Sequence, residues 1–255
     1  MVAALAEAWT PAALAYGAAC VFAAAVVRGY TGFGFSLLAI TSLSLVLPLA
    51  AVVPAMFLLE VAASLRLLPG VWRDVHWRSI RMLLAGCLIG TPPGVWALAS
   101  LPEAPLKLAM AAFVLVSAIL LARGVALKAM PGAAGTFATG VATGLCNGGF
   151  GMGGPPLVVF YLSTPAGAAA GRASIIAFIV ATDVMGLGFQ AGEGSVTRGT
   201  FLLAAAFLLP LLAGVWIGSR AFRASDPERF RQWTLRLLML LAILVAAQVA
   251  VSALQ

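Results

Sequence analysis

Charge is what this 255-residue sequence has least of: Asp, Glu, Lys and Arg together make up 9%, where a globular domain carries roughly a quarter. With 63% of its residues hydrophobic, no soluble fold can hide the apolar surface, so the solvent must be lipid. Histidine occurs once, as His76, in a polar stretch between Arg73 and Arg78, and reads as a solvated loop residue. The three cysteines, Cys20, Cys87 and Cys146, stand singly in apolar stretches without CxxC spacing. Neither a disulfide framework nor a zinc site is indicated, and packing is the expected role. No metal, no cofactor and no catalytic residue is expected. The strict polar alternation of an outer-membrane barrel is also missing, because the apolar runs are continuous and rich in Ala and Leu. Glu7, and no basic segment, stands ahead of the first apolar stretch, so that stretch is expected to stay as a helix and not to be cleaved. The net charge of +7 is spread over the ends of apolar runs and never gathered into an arm. Loop bias across a membrane explains it, and a nucleic-acid partner is excluded.

What is there is a series of apolar runs at residues 12–28, 35–47, 49–68, 79–99, 103–123, 133–147, 152–164, 166–190, 198–220 and 229–251. Most reach the roughly 20 residues that cross a hydrocarbon core. The expectation is an all-α polytopic membrane protein of a bacterial-type inner membrane, with about 8 to 10 membrane segments. Laying Thr31-Gly32-Phe33-Gly34 over Gly148-Gly149-Phe150-Gly151 brings Pro48 onto Pro165, and nearly brings Gly94-Val95-Trp96 onto Gly214-Val215-Trp216 and Pro102 onto Pro227. This order favours a duplication, with residues 1–128 as the first repeat and 129–255 as the second. In each half the second run is short, follows a Gly-rich break and ends at proline, so it reads as half of a broken or re-entrant helix. Five crossings per half would put Arg66, Arg73, Arg78, Arg81, Arg123, Lys128, Arg220, Arg223, Arg229 and Arg231 on one side. Mainly Lys107 and Arg198 would lie opposite. That asymmetry favours inverted halves with both termini outside. Trp72, Trp77 and Trp233 stand near run ends, as interfacial anchors do.

Matching breaks in two halves are the sequence pointer to a transporter site, because unwound backbone is tolerated inside a membrane only where it lines a cavity. The half-helix after each break starts with free N–H groups and the positive end of its dipole, which suit an anion. The candidate binding residues are therefore Tyr30, Thr31, Gly32, Phe33, Gly34 and Ser36 in the first half. In the second they are Asn147, Gly148, Gly149, Phe150 and Gly151, with Arg172 and Ser174 from the following run. Arg172 reads as an oxyanion clamp or a charge anchor, and Arg28 as an anchor. The alternative for the glycines is close helix packing. Two acids lie within apolar runs, where an ionisable group marks function by default. Asp183 reads equally as a partnered structural acid or as a coupling site for a proton or cation. Glu60, six residues before Arg66, reads as a snorkelled or locally paired carboxylate with coupling as the sharper option.

The twofold Gly-Phe-Gly break (residues 32–34 and 149–151), the Gly-Gly-Pro-Pro stretch at 153–156 and Gly-Arg-Ala-Ser at 171–174 resemble the sulfite exporter TauE/SafE family, also called the TSUP family of anion transporters. The resemblance covers nearly the whole chain. It implies a secondary transporter, an exporter of small anions such as sulfite or organosulfonates, coupled to a proton or another cation. Tyr30 and Thr31 depart from the more Gly-rich first break usual in that family and leave the substrate open. The implied partners are a small anionic substrate, the lipid bilayer and a coupling ion. A passive anion channel is the alternative; an intramembrane enzyme would need a nucleophile with a base, and Cys146 beside Asn147 has none nearby.

Overall fold

The computed structural model describes residues 10–44, 46–102, 131–162 and 167–224, scattered positions between 105 and 119, and residues 233 and 236. Among these, the chain forms eight α-helices, two short 3-10 turns and no strand. The helices are α1 (Pro11–Thr31), α2 (Phe35–Leu43), α3 (Leu49–Leu67), α4 (Trp77–Ser100), α5 (Ala133–Phe150), α6 (Gly154–Leu162), α7 (Ala168–Gly192) and α8 (Arg198–Arg223). Each corresponds to one predicted apolar run with its ends moved by a few residues. The run at 103–123 lies largely outside the described residues and that at 229–251 almost wholly so, as do Glu7, Pro165, Pro227, Lys107, Arg123, Lys128, Arg229 and Arg231.

Among the described residues, five segments are long and apolar enough to cross a membrane: Pro11–Thr31, Leu49–Gly70, Trp77–Ser100, Ala169–Gly192 and Arg198–Arg223. Their outer faces keep large apolar side chains uncovered. Leu209 is 79% exposed and Ile89 60%, which is costly in water and neutral in lipid. Local chemistry sets the helix starts. Pro11 occupies the first turn of α1 behind Thr10, whose hydroxyl accepts from the Ala13 N–H at 3.1 Å. Thr197 and Thr200 form a capping box on α8. His76 caps α4: its Nδ1 accepts from the Ser79 N–H at 3.4 Å, so the exposed loop histidine has a structural task that the sequence reading did not give it.

Two seams of glycine hold the bundle together. On α4, Gly86, Gly90 and Gly94 recur every fourth residue, and on α5 Gly140, Gly144 and Gly148 do the same, so each set lies on one helix face. The faces meet backbone to backbone: a Cβ at Gly86 would overlap the Phe137 carbonyl, and one at Gly144 would stand 2.5 Å from the Cys87 oxygen. The second seam joins α1 to α8. There a Cβ at Gly29 would stand 2.9 Å from the Ser219 nitrogen, and one at Gly218 2.9 Å from the Gly29 Cα. The bland expectation of close packing therefore holds for Gly148, whose added Cβ would lie 2.5 Å from the Thr91 oxygen, and for Gly149, which faces Gly94.

The seams also fix direction. Contacts advance together along both chains, from Gly86 with Phe137 to Gly94 with Leu145, so α4 and α5 run parallel. Gly214 meets Phe22 and Ala25, and Gly218 meets Val26 and Gly29, so α8 runs parallel to α1. α2 turns back along α1: the Tyr16 hydroxyl donates to the Ser42 carbonyl at 3.2 Å, and a Cβ at Gly17 would lie 3.3 Å from Leu43. Between the seams, α3 packs against α7, with Phe57 lying over Gly186. The main core is built from Phe35, Ile40, Val53, Met56 and Phe57.

Candidate functional site

Each break is made by glycine in a conformation that other residues reach only with strain. Gly32 (φ 85°) closes α1 and Gly34 (φ 89°) opens α2, while Gly151 (φ 69°) closes α5. Gly32 and Gly151 thus play the same local part, whereas the sequence register lays Gly34 over Gly151, and Arg28 and Asn147 correspond in place, each four residues before its closing glycine.

That correspondence extends to what the two side chains do. Arg28 is fully buried and is no interfacial anchor. Its guanidinium donates to the Gly32 carbonyl at its own break and to the Ser64 hydroxyl, and its Nε lies 3.8 Å from the Glu60 carboxylate. Asn147 accepts from the Gly153 N–H at its own break (3.1 Å) and donates to the Asp183 carboxylate (3.3 Å). Each break is thereby tied to an acid in the middle of a long helix, Glu60 on α3 and Asp183 on α7. The two carboxyls in turn stand near enough to interact electrostatically. Glu60 is 3% exposed and accepts from the Ser36 hydroxyl, and its cation is Arg28; Arg66, offered by sequence proximity, is exposed. Asp183 is wholly buried.

Both breaks open on one small cavity, with room for about one water. Its wall is Phe33, Gly34, Ser36 and Leu37 from the first break, Gly151 to Pro155 from the second, and Glu60, Asn147 and Ile179. The amides of Phe35, Ser36 and Leu37 precede the first backbone bond of α2, made by the Leu38 N–H to the Gly34 carbonyl at 3.1 Å, and so are donors without a helical acceptor. The second break offers less than the symmetric expectation. Pro155 and Pro156 carry no N–H, and the Gly153 N–H is already held by Asn147. Anion-friendly donors come chiefly from the start of α2.

Several expected binding residues lie elsewhere. Thr31 folds its hydroxyl onto its own turn, 2.9 Å from the Val27 carbonyl and 2.7 Å from that of Phe33. The Tyr30 ring packs edge-on against Phe222, and Phe150 packs against the core. Arg172 is turned onto the end of α1, donating to the carbonyls of Tyr30 (3.1 Å) and Gly29 (2.6 Å), with its guanidinium 4.1 Å over the Phe222 ring. It caps a helix C-terminus in this conformation and holds no place in the cavity wall. The Ser174 hydroxyl accepts from the His76 N–H at 2.9 Å, tying α7 to the loop before α4. Sequence reasoning left Leu37, Met152, Gly153, Gly154, Pro155 and Ile179 out of the expected binding set, and Ser64 behind the wall. Of these Met152 to Pro155 had a signal, their place in the second break.

The profile of the sulfite exporter TauE/SafE family matches residues 17–245. The protein named "Probable sulfite/organosulfonate exporter TauE" from Cupriavidus necator is 28% identical over 196 residues, covering 74% of this chain and 77% of that protein. No solved structure matches the chain.

Proposed function

Because this chain belongs to the sulfite exporter TauE/SafE family, and is an integral membrane protein of the plasma membrane, we propose that it exports sulfite or a small organosulfonate through the cavity between its two helix breaks, with a coupled proton. The observation that carries this reading is the pairing in one cavity wall of unbonded α2 amides with the carboxyl of Glu60. The amides attract an oxyanion, whereas an ionised Glu60 repels it. Both are satisfied together only when a proton arrives with the anion. Asp183, in reach of Glu60, is the second place for that proton. The substrate-binding set is Phe33, Gly34, Ser36, Leu37, Asn147 and Gly151, and the coupling pair is Glu60 with Asp183. Metal and cofactor have no part in this scheme.

Residues 1–128 and 129–255 act in this scheme as inverted repeats. Support comes from the two matching parallel seams, α4 with α5 and α8 with α1, and from the matched roles of Arg28 and Asn147. An inverted pair offers the same site to either face by exchanging the conformations of its halves.

The direct test is thermal unfolding of the purified protein with sulfite, taurine-like sulfonates, sulfate and acetate. A ligand at 100 times its Kd stabilises by about 2.7 kcal/mol. Sulfite or a sulfonate should raise the midpoint and acetate should not; equal midpoints with all four sink the substrate assignment. In proteoliposomes, an Asp183→Asn protein is expected to bind the anion within a few-fold of the parent while losing at least tenfold of its pH-driven flux. Unchanged pH-driven flux removes Asp183 from coupling. Accumulation of the anion against its own gradient separates a carrier from a passive channel.

A further inference from the structure

Asp183 is wholly buried and does not line the cavity, so a proton that reaches it needs a way in. Among the described residues, four buried side-chain polar atoms have no hydrogen-bond partner: Arg28 Nε, Asp183 Oδ2, and both Nε2 and Oε1 of Gln190. Three of the four belong to α7. Gln190 is 0% exposed and stands two residues before α7 ends at Gly192. It is seven residues beyond Asp183, and two turns return the chain to the same helix face, about 10 Å along the axis.

A buried amide with neither donor nor acceptor satisfied costs the fold the desolvation of both groups, and more where lipid surrounds it. A residue serving only to pack would be better as Leu or Met, which fill the volume at no such cost. Buried polar groups of this kind are met by water in most proteins. An axial separation of about 10 Å is roughly the length of a line of two or three waters, and an amide that both donates and accepts orients such a line without ionising.

We propose that Gln190 orients a transient water line that carries protons between Asp183 and the membrane face at the C-terminal end of α7. This rests on the proton-coupled reading above. Gln190 is a positioning residue: one O–H bond forms on the Asp183 carboxylate as one breaks on the adjoining water, each water along the line passes a proton on, and the last takes its own from bulk solvent. The charged and titratable groups around Asp183 are Glu60 from α3, Arg28 from α1 and Cys87 from α4. Glu193, and Arg198 at the start of α8, lie exposed at the outer end of the route.

The experiment compares the parent with Gln190→Leu and Gln190→Asn in proteoliposomes, using radiolabelled sulfite. Sulfite-for-sulfite exchange needs no net proton movement, whereas flux driven by a pH gradient does. Gln190→Leu is expected to melt no lower than the parent, to exchange within twofold of it, and to lose at least tenfold of pH-driven flux, with Gln190→Asn recovering part of the loss. Parent-like pH-driven flux in Gln190→Leu overturns the proposal. So does an equal fall in exchange and driven flux, which makes the residue merely structural. A parent that exchanges sulfite but ignores the pH gradient overturns the coupled reading itself, and that failure is recognised without any variant.

Discussion

Replacing Arg28 with methionine is expected to cost about 3 to 5 kcal/mol of stability, the usual result of removing one partner from a buried ion pair. The guanidinium sits at 0% exposure and joins three things at once: the Gly32 carbonyl that ends α1, the Ser64 hydroxyl and the Glu60 carboxylate on α3. Methionine replaces its stem but none of its donors, so Glu60 is left as an uncompensated buried acid. The apparent melting temperature should fall by roughly ten degrees. The double variant Arg28→Met with Glu60→Gln is expected to recover most of the loss, because a neutral amide can still bond Ser36 and leaves no charge to solvate. Equal melting temperatures for the single and double variants would show that the electrostatic pair contributes little and that Arg28 acts through the Gly32 carbonyl alone.

The second large effect lies in the seam. Gly144→Val would place a Cβ 2.5 Å from the Cys87 oxygen and 2.8 Å from the Cys87 Cα, both backbone atoms of α4. A flexible side chain can move aside, but a helix backbone cannot without dragging its neighbours. The expected cost is about 3 kcal/mol, seen as loss of protein from the membrane fraction and a lower melting temperature. Gly188→Ala on α7 is the control: nothing lies within 4 Å of its added Cβ. It should be neutral or slightly stabilising, since alanine favours the helix interior by about 1 kcal/mol over glycine. A seam variant as stable as this control would mean the two helices are not packed backbone to backbone.

The membrane helices were legible in the sequence because lipid imposes a length and a composition that continuous apolar runs reveal. The breaks were legible too, since Gly32, Gly34 and Gly151 are where the chain adopts positive φ. What the sequence could not supply was which side chain meets which. Arg28 beside a break resembles any positive anchor until α3 is seen to bring Ser64 and Glu60 against it. Arg172 carries the chemistry of a clamp but is spent on the carbonyls of Gly29 and Tyr30, residues about 140 positions away in a helix whose end nothing local identifies. The two Gly-Phe-Gly strings differ in backbone: in the first both glycines have positive φ, in the second only Gly151 does, and a repeated string of letters need not share conformation. Gln190 carried no sequence signal, since a lone glutamine near a helix end usually faces solvent.

The glycine seams have a mechanical consequence. Each clasps a helix from the first half of the chain to one from the second, α4 with α5 and α8 with α1, and neither clasp has side-chain slack in which to slide. The bodies able to move as wholes are therefore these mixed pairs, and sequence order does not mark them out. Bulky side chains such as Phe57 meet α7 between the clasps, a contact that can shear by changing rotamers where backbone contact cannot. Glu60 on α3 and Asp183 on α7 sit on that slip plane, so in the proposed scheme a proton taken up or lost there acts where the least force is needed to shift one body past the other.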